Sequence, residues 1–232
     1  MIKWVKREVL MSEAAKFLHD SNIVLDIGSG IRPQEFIIPK NHICAEPYEE
    51  YSEILIKKKD EIQKDGRNLF VLKMTWHEVA KYFTPKSVDT IFLIDVIEHI
   101  EKDEATELLI KSLNIASKQI AIFTPWGFMP QEHPDGIDYW GLKGGDWQRH
   151  KSGWLPSDFE GDDWDFIACE DFHPMDGYGK IYEKPYGAFW AIKTFKKDER
   201  KKSITIRINQ QIFVIKLIIK NKIKNVLGIK KF

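Results

Sequence analysis

The chain has 232 residues and a mass of 27.2 kDa, with 43% hydrophobic, 12% aromatic and 30% charged residues. That composition supports a sizeable core and excludes a disordered chain. Lys plus Arg and Asp plus Glu each number 35, which excludes a basic nucleic-acid-binding coat over the whole molecule.

Residues 1–20 carry Lys3, Lys6, Arg7, Glu8 and Glu13 with no unbroken apolar run. Neither a secretory signal nor a transmembrane helix is expected, and the expected location is the cytoplasm. Ile23 to Ile27 is a short apolar run ending in Gly28-Ser29-Gly30, as a buried parallel strand would. His42 to Glu46 reads as a second strand, Tyr48 to Gln63 as a helix and Asn68 to Leu72 as a third strand. Val88 to Ile94 is a fourth strand, Asp103 to Ala116 a helix with Ala105, Leu108, Leu109, Leu113 and Ile115 on one face, and Lys118 to Thr124 a fifth strand. Residues 126–154 then break the pattern, holding four of the eight Trp and six of the fourteen Gly; a stretch of this kind predicts a functional loop. Trp164 to Phe172 and Tyr186 to Thr194 are predicted as closing strands, joined by a loop with Pro174, Gly177 and Gly179. Seven strands interleaved with helices predict an α/β, Rossmann-like sheet, mostly parallel, with helices on both faces. Cys44 and Cys169 sit in apolar runs and read as buried thiols.

Charge divides the chain near residue 196. Residues 196–232 hold twelve Lys or Arg against two acids, so residues 1–195 are acidic. The expected organisation is one domain over 1–195, with a substrate loop at 125–155, and a basic appendage over 196–232. Within the appendage Ile204, Ile206 and Ile208 alternate as in a strand, and Ile212, Ile215, Ile219, Ile223 and Val226 share a helical face beside a stripe of Lys216, Lys220 and Lys224. Residues 204–232 thus suit peripheral contact with an anionic membrane, at the inner face, or docking on the domain or a second subunit.

Ligands of open α/β sheets sit at the carboxyl ends of the strands. The Val24-Leu25-Asp26-Ile27-Gly28-Ser29-Gly30 turn belongs there, with Glu46 ending the next strand as an acceptor for ribose hydroxyls. A nicotinamide fingerprint would want a glycine where Pro33 stands, and a P-loop would want Gly-Lys-Ser/Thr. The turn, Glu46 and the Asp95-Val96-Ile97-Glu98-His99 segment together resemble class I S-adenosylmethionine-dependent methyltransferases over about residues 20–125, and more loosely to 195. The resemblance implies S-adenosyl-L-methionine as cofactor, held by Asp26, Gly28, Ser29, Gly30, Glu46, Pro47, Met74, Thr75 and Asp95. Many relatives carry an acid for the adenine amine after the third strand; this chain has Met74, Thr75 and Trp76 there.

Asp95, Glu98 and His99 have helical i, i+3, i+4 spacing and form the expected alternative, a divalent-metal triad, as in some ubiquinone-type and small-RNA methyltransferases. The loop strings Pro-x-Gly-Phe-x-Pro-Gln and Gln-x-His-x-Ser-Gly-Trp resemble a bacterial subgroup associated with surface-polysaccharide and other glycan pathways. Trp126, Phe128, Gln131, Trp147 and Trp154 are the expected acceptor contacts, with at least two of the four loop tryptophans folded back as a mini-core. His150, His133 and Asp95 are the candidate catalytic groups, His150 leading as general base. The expected reaction is methyl transfer to a hydroxyl, ahead of an amine, of a small or glycan-like acceptor. The alternatives are a non-catalytic cofactor-binding module acting through the tail and a metal-assisted quinone- or phenol-type O-methyltransferase. Nucleic acid is not favoured, since residues 156–176 are rich in acids.

Overall fold

The computed structural model describes residues 1–63 and 66–195. The basic appendage, with its expected strand, helix and membrane face, lies outside the described residues. Eight strands form one sheet: β1 (Ile2–Trp4), β2 (Ile23–Ile27), β3 (Asn41–Ala45), β4 (Asn68–Leu72), β5 (Val88–Ile94), β6 (Ala116–Pro125), β7 (Trp164–Met175) and β8 (Ile181–Thr194). Their order is β1-β7-β8-β6-β5-β2-β3-β4, and only the two pairings made by β8 are antiparallel. Seven strands therefore end on one edge of the sheet, where the glycine turn lies.

The expected count of seven strands is corrected to eight. β1 pairs in parallel with β7, Ile2 opposite Phe166 and Trp4 opposite Ala168, and Lys3 and Trp4 are exposed. Three residues on a sheet edge, two of them facing solvent, carry no alternation that a sequence reading could detect. The closing hairpin is also longer than expected, because β7 and β8 continue past two register shifts to a turn where Asp176 Oδ1 accepts the Tyr178 and Lys180 N–H groups.

Alternation along the strands sorts the core into two layers. Leu25, Ile27, Ile91, Leu93, Ile120 and Ile122 pack with α4 (Trp76–Tyr82) and α5 (Lys102–Ile115) on one face. Val24, Phe92, Ala121, Phe123, Ile167 and Trp190 pack with α1 (Leu10–Ala15) on the other. The predicted helix from Tyr48 to Gln63 is two, α2 (Glu49–Lys57) and α3 (Lys59–Gln63), divided at Lys58, whose Nζ donates to the Ile31 carbonyl at 2.7 Å. No helix follows the glycine turn. Gln34 ties residues 31–40 down instead: its N–H donates to Asp26 Oδ2 at 2.7 Å, and its side-chain amide makes both bonds to the Ile37 backbone. Within the long loop only Gly145–Gln148 forms a helical turn, α6. No helix among the described residues is long and apolar enough to cross a membrane. Cys44 and Cys169 are buried free thiols, as expected.

Candidate active site

A cavity of about 650 Å³ opens at the carboxyl ends of β2, β3 and β5, and all nine residues proposed to hold the cofactor line it. Gly28 and Gly30 have φ of +67° and +55°, in the left-handed region that favours glycine. A Cβ would meet Val96 Cγ2 at 2.8 Å from Gly28 and the Trp140 ring at 2.9 Å from Gly30, so the backbone here is built to be approached closely. Glu46 fastens this turn, accepting the Gly30 N–H at 2.8 Å on Oε2 and the Tyr48 N–H at 2.9 Å on Oε1. Each carboxylate oxygen keeps a further lone pair for a ligand hydroxyl. Burial pushes the Glu46 carboxyl up to about 7 against the pull of those two N–H bonds, and the nearby Asp26 charge adds to the rise.

Asp26 is itself buried, and its Oδ2 takes the Gln34 N–H and lies 3.4 Å from His42 Nε2. Its visible role is to hold the loop after the turn. Asp26, His42 and Cys44 lie close enough together to hold an ion. Burial raises the Cys44 thiol, however, and the Asp26 charge raises it further, which opposes the thiolate a metal needs. Thr75 lines the cavity while capping α4, in a reciprocal box with Glu78.

A second cavity of about 460 Å³ adjoins the first, and Arg32, Asp95, His99, Trp140 and Gln148 line both. Asp95 stands at the junction. Its φ of +51° is unusual for a residue with a Cβ, and its N–H is anchored on the Phe123 carbonyl at 2.9 Å. The carboxyl is open to cavity space yet lies deep among protein atoms, and that desolvation raises it to about 7, with the neighbouring Glu98 opposing the rise. Glu98 is fully enclosed, and burial and then the Asp95 charge raise its carboxyl well above the usual range. Its Oε2 accepts the Thr124 hydroxyl at 3.1 Å, while its Oε1 is buried with no donor among the described residues.

His150 reaches this place because residues 151–154 lie along the 3-10 turn Ile97–His99. The Lys151 and Ser152 N–H groups donate to the Glu98 carbonyl, and the Ser152 hydroxyl and Trp154 Nε1 donate to Ile97 O. His99 and His150 rings meet edge to face at 4.8 Å. Nδ1 of His150 lies 2.6 Å from Met129 O, and Nδ1 of His99 lies 3.2 Å from Arg149 O. A carbonyl only accepts, so each Nδ1 carries the proton and each Nε2 keeps its lone pair. Burial lowers His150 to about 4 and His99 to about 3, so both rings are neutral at pH 7. The group close enough to hold an ion is Glu98, His99 and His150; the expected triad had Asp95 in place of His150. The backbone turn, with Asp95 left-handed and only three residues in 3-10 geometry, replaces the helix that the i, i+3, i+4 spacing assumed.

Several expected site residues lie elsewhere. His133 lines neither cavity; it is buried in the loop, its Nδ1 donating to Ile137 O at 2.9 Å. Trp154 is 1% exposed in the core, with Nε1 also bonded to Ser152 Oγ, so it is no acceptor contact. Trp126 packs against Trp4 and Phe189 outside both cavities, and Phe128 is exposed and lines neither. Trp126 and Trp154 are the two loop tryptophans that fold back. Gln131 lines the second cavity, and Trp147 lines the first rather than the acceptor side. Trp140, Tyr51 and Asp138 also build the site. Asp138 takes the Tyr51 hydroxyl and the Trp140 and Leu142 N–H groups, so the loop is pinned to α2 with Trp140 over Gly30. Only the tryptophan-rich composition of the loop pointed there.

No family model matches the sequence, and no curated protein matches it. Among solved structures, a SAM-dependent methyltransferase from Methanosarcina mazei aligns at 12% identity and a TM-score of 0.54, covering 77% of this chain and 94% of that one. A provisionally named methyltransferase from Bacillus halodurans aligns at 13% and 0.50, over 81% and 97%. A cyclopropane synthase from Mycobacterium tuberculosis aligns at 21% and 0.41 over 51% of this chain and less than half, 42%, of its own length. At such identities the likeness speaks of the fold: this chain has the class I SAM-dependent methyltransferase fold.

Proposed function

We propose that the protein transfers a methyl group from S-adenosylmethionine to a hydroxyl of a small or glycan-like acceptor. The observation that carries the reading is the pair of adjoining cavities, one beside the Gly28–Gly30 turn and Glu46, the other beyond Asp95. The left-handed Gly28 and Gly30, lining the first cavity next to a strand-end carboxylate with spare lone pairs, fit the methionine and ribose parts of the cofactor. The cofactor supplies an electrophilic methyl on a sulfonium. The new O–CH₃ bond forms as the S–CH₃ bond breaks, so the protein's tasks are alignment, exclusion of water and acceptance of the hydroxyl proton.

Asp95 is best suited to take that proton. It faces both cavities and its carboxyl is held near neutral pH, where a general base works best. The leading role expected for His150 passes to Asp95, because a ring held at about 4 is a weak base. Calorimetric titration with S-adenosylhomocysteine tests the cofactor assignment. Micromolar binding that collapses in Glu46→Ala supports it, and no binding at millimolar ligand removes it. Transfer of labelled methyl to sugar and phenol panels then tests the acceptor class.

A metal-assisted transfer is the second reading, favoured by Glu98, His99 and His150 lying close together with both Nδ1–H groups held by carbonyls. An ion there would polarise the acceptor hydroxyl. A rise in melting temperature with Mg²⁺, Mn²⁺ or Zn²⁺ that His150→Ala abolishes supports this reading, and activity unchanged by exhaustive chelation removes it.

A further inference from the structure

The second cavity has a feature that methyl transfer to a neutral hydroxyl compound does not require. Two guanidinium groups, Arg7 and Arg32, line it, and among the described residues neither has a salt bridge or side-chain hydrogen bond. We propose that the second cavity binds an acceptor bearing a phosphate or carboxylate, clasped by Arg7 and Arg32, with its hydroxyl presented to Asp95. The inference rests on the methyltransferase reading for the hydroxyl and on the arginines alone for the anion.

The eighth strand explains how Arg7 arrives. β1 runs parallel to β7, and the Val5 N–H extends the pairing to the Ala168 carbonyl at 2.8 Å. The chain therefore leaves the sheet at the edge where the parallel strands end, and Arg7 lies over the Phe172 ring, 6.0 Å from its centroid. Arg32 comes from the opposite side, two residues past the glycine turn, and faces both cavities.

Among the described residues no acid of this cavity forms an ion pair with either guanidinium. Asp176 gives Oδ1 to the Tyr178 and Lys180 N–H groups, and Glu98 Oε2 accepts the Thr124 hydroxyl. Tyr139, Trp140, Phe172 and Tyr182 supply ring faces for the uncharged body of the ligand. A planar guanidinium matches two oxygens of a phosphate or carboxylate at once, which a lone ammonium does not.

The test is calorimetric titration of the full chain with glucose 1-phosphate, glucuronate and glucose, each with and without S-adenosylhomocysteine. At least one anion is expected to bind about tenfold more tightly than glucose, with affinity falling as salt rises. The two anions distinguish phosphate from carboxylate. Arg7→Gln is expected to remove most of that preference, Arg7→Lys to keep part of it, and neither to change S-adenosylhomocysteine affinity, since Arg7 does not line the first cavity. Glucose binding as well as the anions, no anion binding at millimolar concentration, or an unchanged preference in Arg7→Gln would overturn the proposal. If Arg7→Gln does not fold, the salt dependence and Arg7→Lys decide. Arg32→Gln that weakens S-adenosylhomocysteine instead of the anion would place Arg32 with the cofactor and break the clasp. Failure of S-adenosylhomocysteine to bind removes the methyltransferase reading, while the anion titration without it still reports on the arginines.

Discussion

Glu46 does two things with one carboxylate: it fastens the glycine turn through the Gly30 and Tyr48 N–H groups, and it keeps lone pairs facing the cavity. Burial holds it at about 7, so near neutral pH part of the population is protonated in the empty protein. Ribose hydroxyls are donors and favour the charged acceptor, so cofactor binding should expel that proton. Affinity for S-adenosylhomocysteine is therefore expected to rise severalfold from pH 6 to 8, and the measured heat to vary with the ionisation enthalpy of the buffer. Glu46→Gln should flatten both dependences and weaken binding by roughly tenfold to a hundredfold, the scale of a lost charged hydrogen bond. A pH-independent affinity in the unaltered protein would assign the ribose to another group. At Asp95, replacement by Asn keeps the shape and removes the base. Turnover should fall by about 10²-fold or more while S-adenosylhomocysteine affinity stays within about threefold, read by single-turnover methyl transfer and calorimetry.

At the scale of elements, the glycine turn and the loop over it behave as one unit. Gly30→Ala places a Cβ at 2.9 Å from the Trp140 ring at a φ of +55°. It should displace Trp140 and reduce S-adenosylhomocysteine affinity at least tenfold, with a drop in melting temperature of a few degrees. Trp154→Ala removes a ring that is 1% exposed and should cost about 3–5 kcal/mol, which chemical denaturation would measure. The sheet and the cofactor side were legible in the sequence because both are local. The apolar strand and its two glycines are contiguous, the strand-end acid follows 16 residues after Gly30, and an unbroken apolar run marks the central strands. The acceptor side was not, since its geometry comes from chain segments far apart. His150 meets His99 only because backbone N–H groups at 151 and 152 bind the Glu98 carbonyl, and Arg7 arrives through a three-residue edge strand. His133 and His150 are alike in burial and in an Nδ1 bond to a backbone carbonyl, and the cavity separates them: His150 lines the second, His133 neither.

For the molecule as a whole, these buried groups impose a pH dependence on stability that can be worked out in sign. Glu46 and Asp95 have folded values raised to about 7, and Glu98 is raised further. Each carboxyl contributes stability that is fully present below its unfolded value, near 4, and lost as pH rises through the folded value. For Glu46, which is 4% exposed, a rise from 4.5 to about 7 corresponds to about 3 kcal/mol at most. His99 and His150 act in the opposite sense, because their folded values are lowered to about 3 and about 4. Their neutral burial costs stability as pH falls below about 6.5, where the unfolded rings take up protons. The two effects oppose each other between about pH 4.5 and 6.5. Above that range the histidines are neutral in both states and only the carboxyls remain. Denaturation of the empty protein should therefore show a shallow decline in stability from pH 5 to 6.5, three carboxyls against two histidines, and a steeper one above 6.5. Glu46→Gln, which has no charge to bury, should reduce that decline, and saturating S-adenosylhomocysteine should reduce it too by supplying donors to the ionised carboxylate. A stability that rises steadily across pH 5 to 8 would mean that the carboxyls are ionised in the folded state, against the burial that raises them.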